Sequence, residues 1–259
     1  MSGATVVIAA AGSGRRLGAD GPKAFVELAG RPLLAHALAG AAAAGSVQVA
    51  VVAAPAADLE RARELVGSLE LGIAVEVCEG GATRAQSVRA ALDAVEAEIV
   101  VIHDAARPLA RSATFDRLTA LLASDPDLAG AIAATPVADT LKRRRGEGHG
   151  VGRGGAVAPR VAARDEAGAE GHLEIASTLS REGLWAAQTP QAFRLDTLRS
   201  AQALAIEQDL LEAATDEASL VEAAGGRVAM VPVSYPNFKV TVPEDLRTAT
   251  ALLERLDRV

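Results

Sequence analysis

The chain has 259 residues, 33 of them acidic and 26 basic, for a formal net charge of −7. That balance excludes a general nucleic-acid coat, which needs a broad basic surface, but it permits a small anionic ligand, because a few cations gathered in one cleft outweigh a distant acidic surface. Only 2% of residues are aromatic, which disfavours base stacking on single strands.

Taken in chain order, short β-branched runs alternate with longer Ala/Leu segments. Strands are predicted at Thr5–Ala10, Val47–Ala53, Ile73–Cys78, Ile99–His103, Gly130–Pro136 and Val228–Pro232. Helices are predicted at Pro32–Ala44, Asp58–Ser68, Thr83–Val95, Ser112–Ala123, Leu195–Gln208, Asp216–Ala224 and Pro243–Leu256. Pro32 suits a first helical turn and Ser112 is a candidate cap. The alternation predicts one α/β domain over residues 1–259. It has a Rossmann-like, mostly parallel sheet with helices on both faces. Near-continuous apolar runs such as Ile99-Val100-Val101-Ile102 fit strands buried on both sides.

Residues 143–172 break the rhythm. They are rich in Gly, Ala and charge, without an apolar period, and read as a flexible loop. Their flanks, Asp139–Lys142 and Ile175–Leu179, are expected to pair, making an extended β-arm at about 139–180.

No segment reaches the ~18 apolar residues of a membrane span. The N-terminus runs straight into a strand without a charged leader, so the protein is expected in the cytoplasm. The single cysteine, Cys78, excludes an internal disulfide, and His36, His103, His149 and His172 lack metal-ligand spacing. Only Lys23, Lys142 and Lys239 are lysine in a chain that otherwise writes its cations as arginine.

The turn after the first strand is glycine-rich, with Gly12, Gly14 and Gly18. Such a turn brings backbone N–H groups close to phosphates. The spacing is one residue too long for the dinucleotide fingerprint, which disfavours an NAD-binding oxidoreductase, and the Walker A pattern is absent. Arg15, Arg16 and Lys23 instead place three cations beside the turn, which suits a nucleoside triphosphate. A plain strand–helix turn with solvated arginines is the alternative.

The run AAAGSGRRLGADGPKAFVELAGRPLL resembles the N-terminal signature of the nucleotidyltransferases. GGATRAQSV at Gly80–Val88, HDAARP at His103–Pro108, DTLKR at Asp139–Arg143, TPQAF at Thr189–Phe193, TDEAS at Thr215–Ser219 and NFKVTVPEDL at Asn237–Leu246 follow in order. Together they resemble the methylerythritol phosphate cytidylyltransferase family of the non-mevalonate isoprenoid pathway. The resemblance implies the nucleotidyltransferase fold, with CTP and 2-C-methyl-D-erythritol 4-phosphate giving the CDP-linked product and pyrophosphate. It also implies a divalent cation, usually magnesium, carried mainly on the CTP phosphates. The family is typically a homodimer whose arm reaches the neighbouring subunit.

Residue by residue, the resemblance assigns Arg16 and Lys23 to charge stabilisation at the α-phosphorus, and Lys239 and Arg181 to the substrate phosphate, Arg181 crossing the dimer. It assigns CTP contacts to Ala10, Ala11, Gly12, Gly14, Gly80, Gly81, Arg84 and Ser87, the last four at the cytosine end. Asp104, Arg107, Thr140 and Thr215 are expected at the sugar-alcohol phosphate. More ordinary readings stand beside these. Thr83 could simply cap its helix with Arg84 solvated, and Asp104 and Arg107 could form an internal pair. Thr215 could be an N-cap, His103 a packed strand-end residue and Trp185 core or interface packing. Ala9, Ala24 and Ala82 depart from the family pattern, and the arm is longer than usual. No membrane or nucleic-acid partner and no fused second enzyme is expected. A ribitol 5-phosphate cytidylyltransferase and a non-catalytic nucleotide-binding module are the alternative functions.

Overall fold

The computed structural model describes residues 3–12, 17, 21–145 and 173–256. In the first half of the chain, strands β1 (Ala4–Ala9), β4 (Val47–Ala54), β5 (Ala74–Glu79) and β6 (Ile99–Asp104) alternate with helices α1 (Leu33–Ala42), α2 (Leu59–Gly67) and α3 (Arg84–Leu92). A small hairpin, β2 (Glu27–Leu28) with β3 (Arg31–Pro32), precedes α1. Then come α4 (Ser112–Ser124), β7 (Gly130–Pro136), β8 (Lys142–Arg144), β9 (Ile175–Thr178), β10 (Trp185–Arg194), α5 (Leu195–Glu207), α6 (Glu217–Ala223), β11 (Val228–Pro232) and α7 (Pro243–Leu256).

Seven strands form one sheet in the order β11-β7-β10-β6-β1-β4-β5. Within it only β10 runs antiparallel, between β6 and β7. The predicted strands all form, within a residue or so of their expected ends. Strand β10 is an addition to the predicted set: Gln188, Thr189, Pro190 and Gln191 interrupt any apolar alternation, and the register shifts between Ala187 and Gln191.

Both faces of the sheet are dry. Val6, Ile8 and Val52 pack with Leu34 and Leu38 of α1 and Phe115, Leu118 and Leu122 of α4. Their neighbours Val7, Val51, Val100 and Ile102 face Val88 and Leu92 of α3, Leu198 of α5 and Val221 of α6. Burying each large side chain of this kind is worth roughly 1.5–3 kcal/mol. With few aromatics available, small residues make room for those present. A Cβ on Gly130 would lie 2.5 Å from the Phe193 ring, so the ring fills that glycine's place.

Some local expectations need correction. Ser112 is the first residue of α4 and does not cap it; Arg111 holds the cap position without a side-chain bond. Pro32 sits one residue before the first turn of α1. Of the two packing roles expected for Trp185, core and interface, the core one fails, because the residue is half-buried at the start of β10. The arm flanks do pair, but as Lys142–Arg144 with Ile175–Thr178. Lys142 Nζ donates to Thr178 Oγ1 across that pair at 2.7 Å. The expected flexible loop, with His149 and His172, lies from residue 146 onward outside the described residues.

Candidate active site

The parallel strands end in register at one edge of the sheet. Ala9 lies beside Ala53 on one side and Asp104 on the other, and Ala53 lies beside Cys78. Ligands bind at such carboxyl ends in open α/β sheets. A cleft opens there with two adjoining lobes of about 240 and 400 Å³. The smaller lobe is lined by Ala10, Ala11, Gly12, Ser87, Asp104 and Ala106. Glu212, Thr215, Asp216, Glu217 and Thr241 line the larger. Gly12, Lys23, Thr83, Arg84 and Lys239 border both.

Short-range chemistry explains the loops. Lys23 N–H donates to Gly12 O at 3.0 Å, folding residues 21–25 back over the first turn. Gly80 N–H donates to Ala54 O, and a Cβ on Gly80 would meet Ala11 and Ser87 at 3.0 Å. A Cβ on Gly81 would sit 2.3 Å from Gln86 Cβ. The approach at Gly81 requires glycine, and that at Gly80 leaves a methyl group only a tight fit. Thr83 caps α3 by accepting from Gln86 N–H. The buried Ser87 hydroxyl donates to the backbone of Thr83 and Gly81.

Asp104 is the hub of the floor. Arg84 Nε donates to its Oδ1 at 2.8 Å and Lys239 Nζ to its Oδ2 at 2.8 Å. Its N–H donates to Thr189 Oγ1 at 3.0 Å. Burial alone would raise the Asp104 carboxyl, but the charges of Arg84 and Lys239 outweigh it and hold the group well below the usual carboxylate range. Arg84 Nη1 donates to Glu217 at 2.8 Å. Burial acts to lower the Arg84 guanidinium, and the two carboxylates overcome that and raise it. Glu217 is only 1% exposed, and burial raises its carboxyl despite Arg84. The ordinary reading of a solvated Arg84 is therefore wrong, and so is an Asp104–Arg107 pair.

Arg107 holds a different group. Its Nη1 donates to Asn237 O at 2.7 Å, and Val240 N–H donates to Ala106 O at 2.8 Å. These two bonds flank Lys239 and dock its segment against the end of β6. Asn237 Nδ2 donates to Gln188 Oε1 and Thr189 O, joining the same segment to β10. His103 is packed, as the more ordinary reading expects. Its Nε2 faces Arg107 O at 3.2 Å and its Nδ1 faces Thr189 Oγ1 at 3.0 Å. A carbonyl only accepts, so Nε2 carries the proton and Nδ1 accepts from Thr189. Burial lowers the ring's pKa to about 4.

Asp216, not Thr215, caps α6, accepting from Ser219 N–H and from Gln191 Nε2. Thr215 is exposed on the larger lobe. Thr140 and Arg181 are exposed at the arm, away from the residues lining the cleft; Arg181 Nη1 donates to Ala138 O. Gly14 and Arg16 lie outside the described residues. Sequence reasoning alone misses Glu217, because a glutamate in a first helical turn normally reads as a solvated partner of the helix dipole. Only the TDEAS run marks its neighbourhood.

A mostly parallel sheet, a glycine-lined turn at its carboxyl edge and lysines on both sides of the cleft define a nucleotidyltransferase-type α/β protein. A sequence profile of the family "2-C-methyl-D-erythritol 4-phosphate cytidylyltransferase" matches residues 4–152 and 152–255. The cytidylyltransferase of that name from Gloeobacter violaceus is 41% identical over 251 residues, covering 96% of this chain and 95% of the relative. The one from Halalkalibacterium halodurans is 36% identical, covering 98% of each. The crystal structure of the Thermus thermophilus enzyme superposes with a TM-score of 0.69 at 32% identity, covering 97% of this chain and 99% of that one. The chain belongs to the 2-C-methyl-D-erythritol 4-phosphate cytidylyltransferase family.

Proposed function

We infer that the protein transfers the cytidylyl group of CTP to 2-C-methyl-D-erythritol 4-phosphate, releasing pyrophosphate and 4-diphosphocytidyl-2-C-methyl-D-erythritol. The observation that carries this, beside the family, is the placing of Lys23 and Lys239 on one glycine-lined cleft. The nucleophile is a phosphate oxygen, already an anion, so no strong general base is required. Catalysis is positioning of two anions that repel and stabilisation of charge on the non-bridging oxygens. The Ala10-Ala11-Gly12 turn and Lys23, with Gly14 and Arg16, hold the triphosphate. The backbone at Gly80 and Gly81, above the ordered Ser87, takes the cytosine. Two Arg84 nitrogens are committed to carboxylates, which hold the guanidinium fixed at the floor of the cleft beside the cytosine end. Lys239 turns its ammonium to the incoming phosphate, and Thr215 lies beside the polyol.

No group of three His, Cys, Asp or Glu side chains able to hold a metal occurs among the described residues. Both Asp104 oxygens already accept from cations. This donor set fits a magnesium ion carried on substrate phosphates rather than a protein cage. When bound, such an ion neutralises phosphate charge and aligns the leaving pyrophosphate.

The protein works in this reading as one domain and a homodimer, with the arm placing Thr140 and Arg181 at the neighbour's cleft. Exposure of both residues on the arm supports that. No described helix is long and apolar enough to cross a membrane, and a cytoplasmic site suits an enzyme that draws on CTP. The test is pyrophosphate release from CTP with methylerythritol phosphate and ribitol 5-phosphate in parallel. Turnover of ribitol 5-phosphate alone would reverse the substrate assignment, and turnover of neither would leave a binding module.

A further inference from the structure

Glu217 is a buried carboxylate with one cationic partner, and such a group is expensive. Removing a carboxylate from water is costly, and a buried ion pair is often no more stabilising than apolar residues of the same size. Stability alone therefore does not account for it. Its geometry offers another reason. An arginine facing one carboxylate prefers to grip both oxygens with its fork. Here Glu217 holds Nη1, which fixes the guanidinium in an orientation where Nε meets only Oδ1 of Asp104 and Nη2, the other tine of the Nε fork, has no partner among the described residues. Oδ2 is left for Lys239, 2.8 Å away. The glutamate is itself fixed: it follows Asp216, whose carboxylate is anchored by Gln191 and Ser219.

We propose that Glu217 is a positioning residue for cytidylyl transfer, anchoring the Arg84 guanidinium off a two-oxygen grip on Asp104 so that Asp104 can hold the Lys239 ammonium in place. The proposal rests on reading the cleft as the cytidylyltransferase site. The chain Glu217–Arg84–Asp104–Lys239 spans α6, α3, β6 and the segment before α7. It makes the placement of one cleft lysine depend on a residue that need never touch the substrate phosphate.

The near-isosteric E217Q keeps the shape and removes the charge. Its expected kcat falls about 10- to 100-fold, with KM for CTP within about threefold of wild type. In a K239A background the same change is expected to alter kcat less than about twofold, because the group it positions is gone. Losses that multiply in the double variant, or an unchanged kcat in the single one, would overturn the proposal. A crystal structure of E217Q gives a second readout that needs no turnover. Arg84 is expected to grip both Asp104 oxygens, with Lys239 Nζ displaced, and an intact Asp104–Lys239 contact refutes it. If the wild-type enzyme releases no pyrophosphate from CTP with either sugar phosphate, the functional reading fails. If wild type is active and the double variant is additive, only the positioning role fails.

Discussion

Lys239 Nζ and Asp104 Oδ2 lie 2.8 Å apart, joining a loop near the C-terminus to the end of a central strand. The lysine side chain is still 41% exposed, so its outward side can meet a phosphate. K239A and K23A are each expected to lower kcat by about 100-fold or more, the scale for losing one preorganised group at developing charge. Losing the partly exposed Lys239 pair should cost at most about 1 kcal/mol in stability. Steady-state pyrophosphate release and urea unfolding measure the two effects, and near-wild-type turnover in either variant would contradict its role.

Arg84 serves two buried carboxylates, so R84M should be far more damaging to folding. Asp104 would keep Lys239, but Glu217 would be stranded. The expected loss near neutral pH is about 3–5 kcal/mol. Glu217 is already raised above its ordinary 4.5 by burial, and without Arg84 it rises further. A carboxyl raised in the folded state penalises folding most above its folded pKa, and the penalty lifts as pH falls toward the unfolded value. The difference in unfolding free energy between R84M and wild type should therefore shrink on acidification. A constant difference across pH would show that Glu217 is not the stranded group.

His103 makes the opposite contribution. Its pKa is about 4 folded against 6.5 unfolded. The unfolded chain binds the extra proton, so stability is full above 6.5 and falls as pH drops through that window. Between about pH 7.5 and pH 5 the expected loss from this group is about 2 kcal/mol. H103Q should flatten that part of the wild-type pH–stability curve in parallel urea titrations.

Gly81 has no room for a methyl group, because Gln86 Cβ would be 2.3 Å from it. In G81A the loop after β5 must move, and Ala82 N–H loses its bond to Gln86 Oε1. KM for CTP is expected to rise about tenfold or more, with a smaller change for the sugar phosphate. An equal rise for both substrates would remove the loop from cytosine binding.

Arg181 donates to Ala138 O and lies off its own chain's cleft. If it serves the neighbour, R181A and K239A subunits complement each other. A random hybrid carries one site with both defects and one intact site, so mixed protein should recover about a quarter of wild-type activity. No recovery would place Arg181 in its own subunit's site.

The α/β frame is legible because parallel strands buried on both faces write themselves as unbroken Val/Ile/Ala runs. Strand β10 is hidden for the opposite reason. Its central residues are polar because they serve the cleft: Thr189 bonds Asp104 and His103, and Gln191 ties down Asp216. The site's cations are visible through family motifs and the scarcity of lysine. The pairing of Arg84 with Glu217 spans 133 positions, and no local pattern announces it. Thr215 and Asp216 are both plausible caps from spacing alone. Long-range packing, through Gln191, favours the aspartate.

The four groups at the cleft floor, two carboxylates and two cations, sum to zero charge. Seen from bulk solvent they contribute almost no monopole, and their mutual fields cancel within a few ångströms. Long-range capture of a highly charged triphosphate therefore draws almost nothing from these four groups. The association rate should respond to ionic strength more weakly than a count of the cleft's basic residues suggests. The floor's strength is exerted only at contact, once the nucleotide has already arrived.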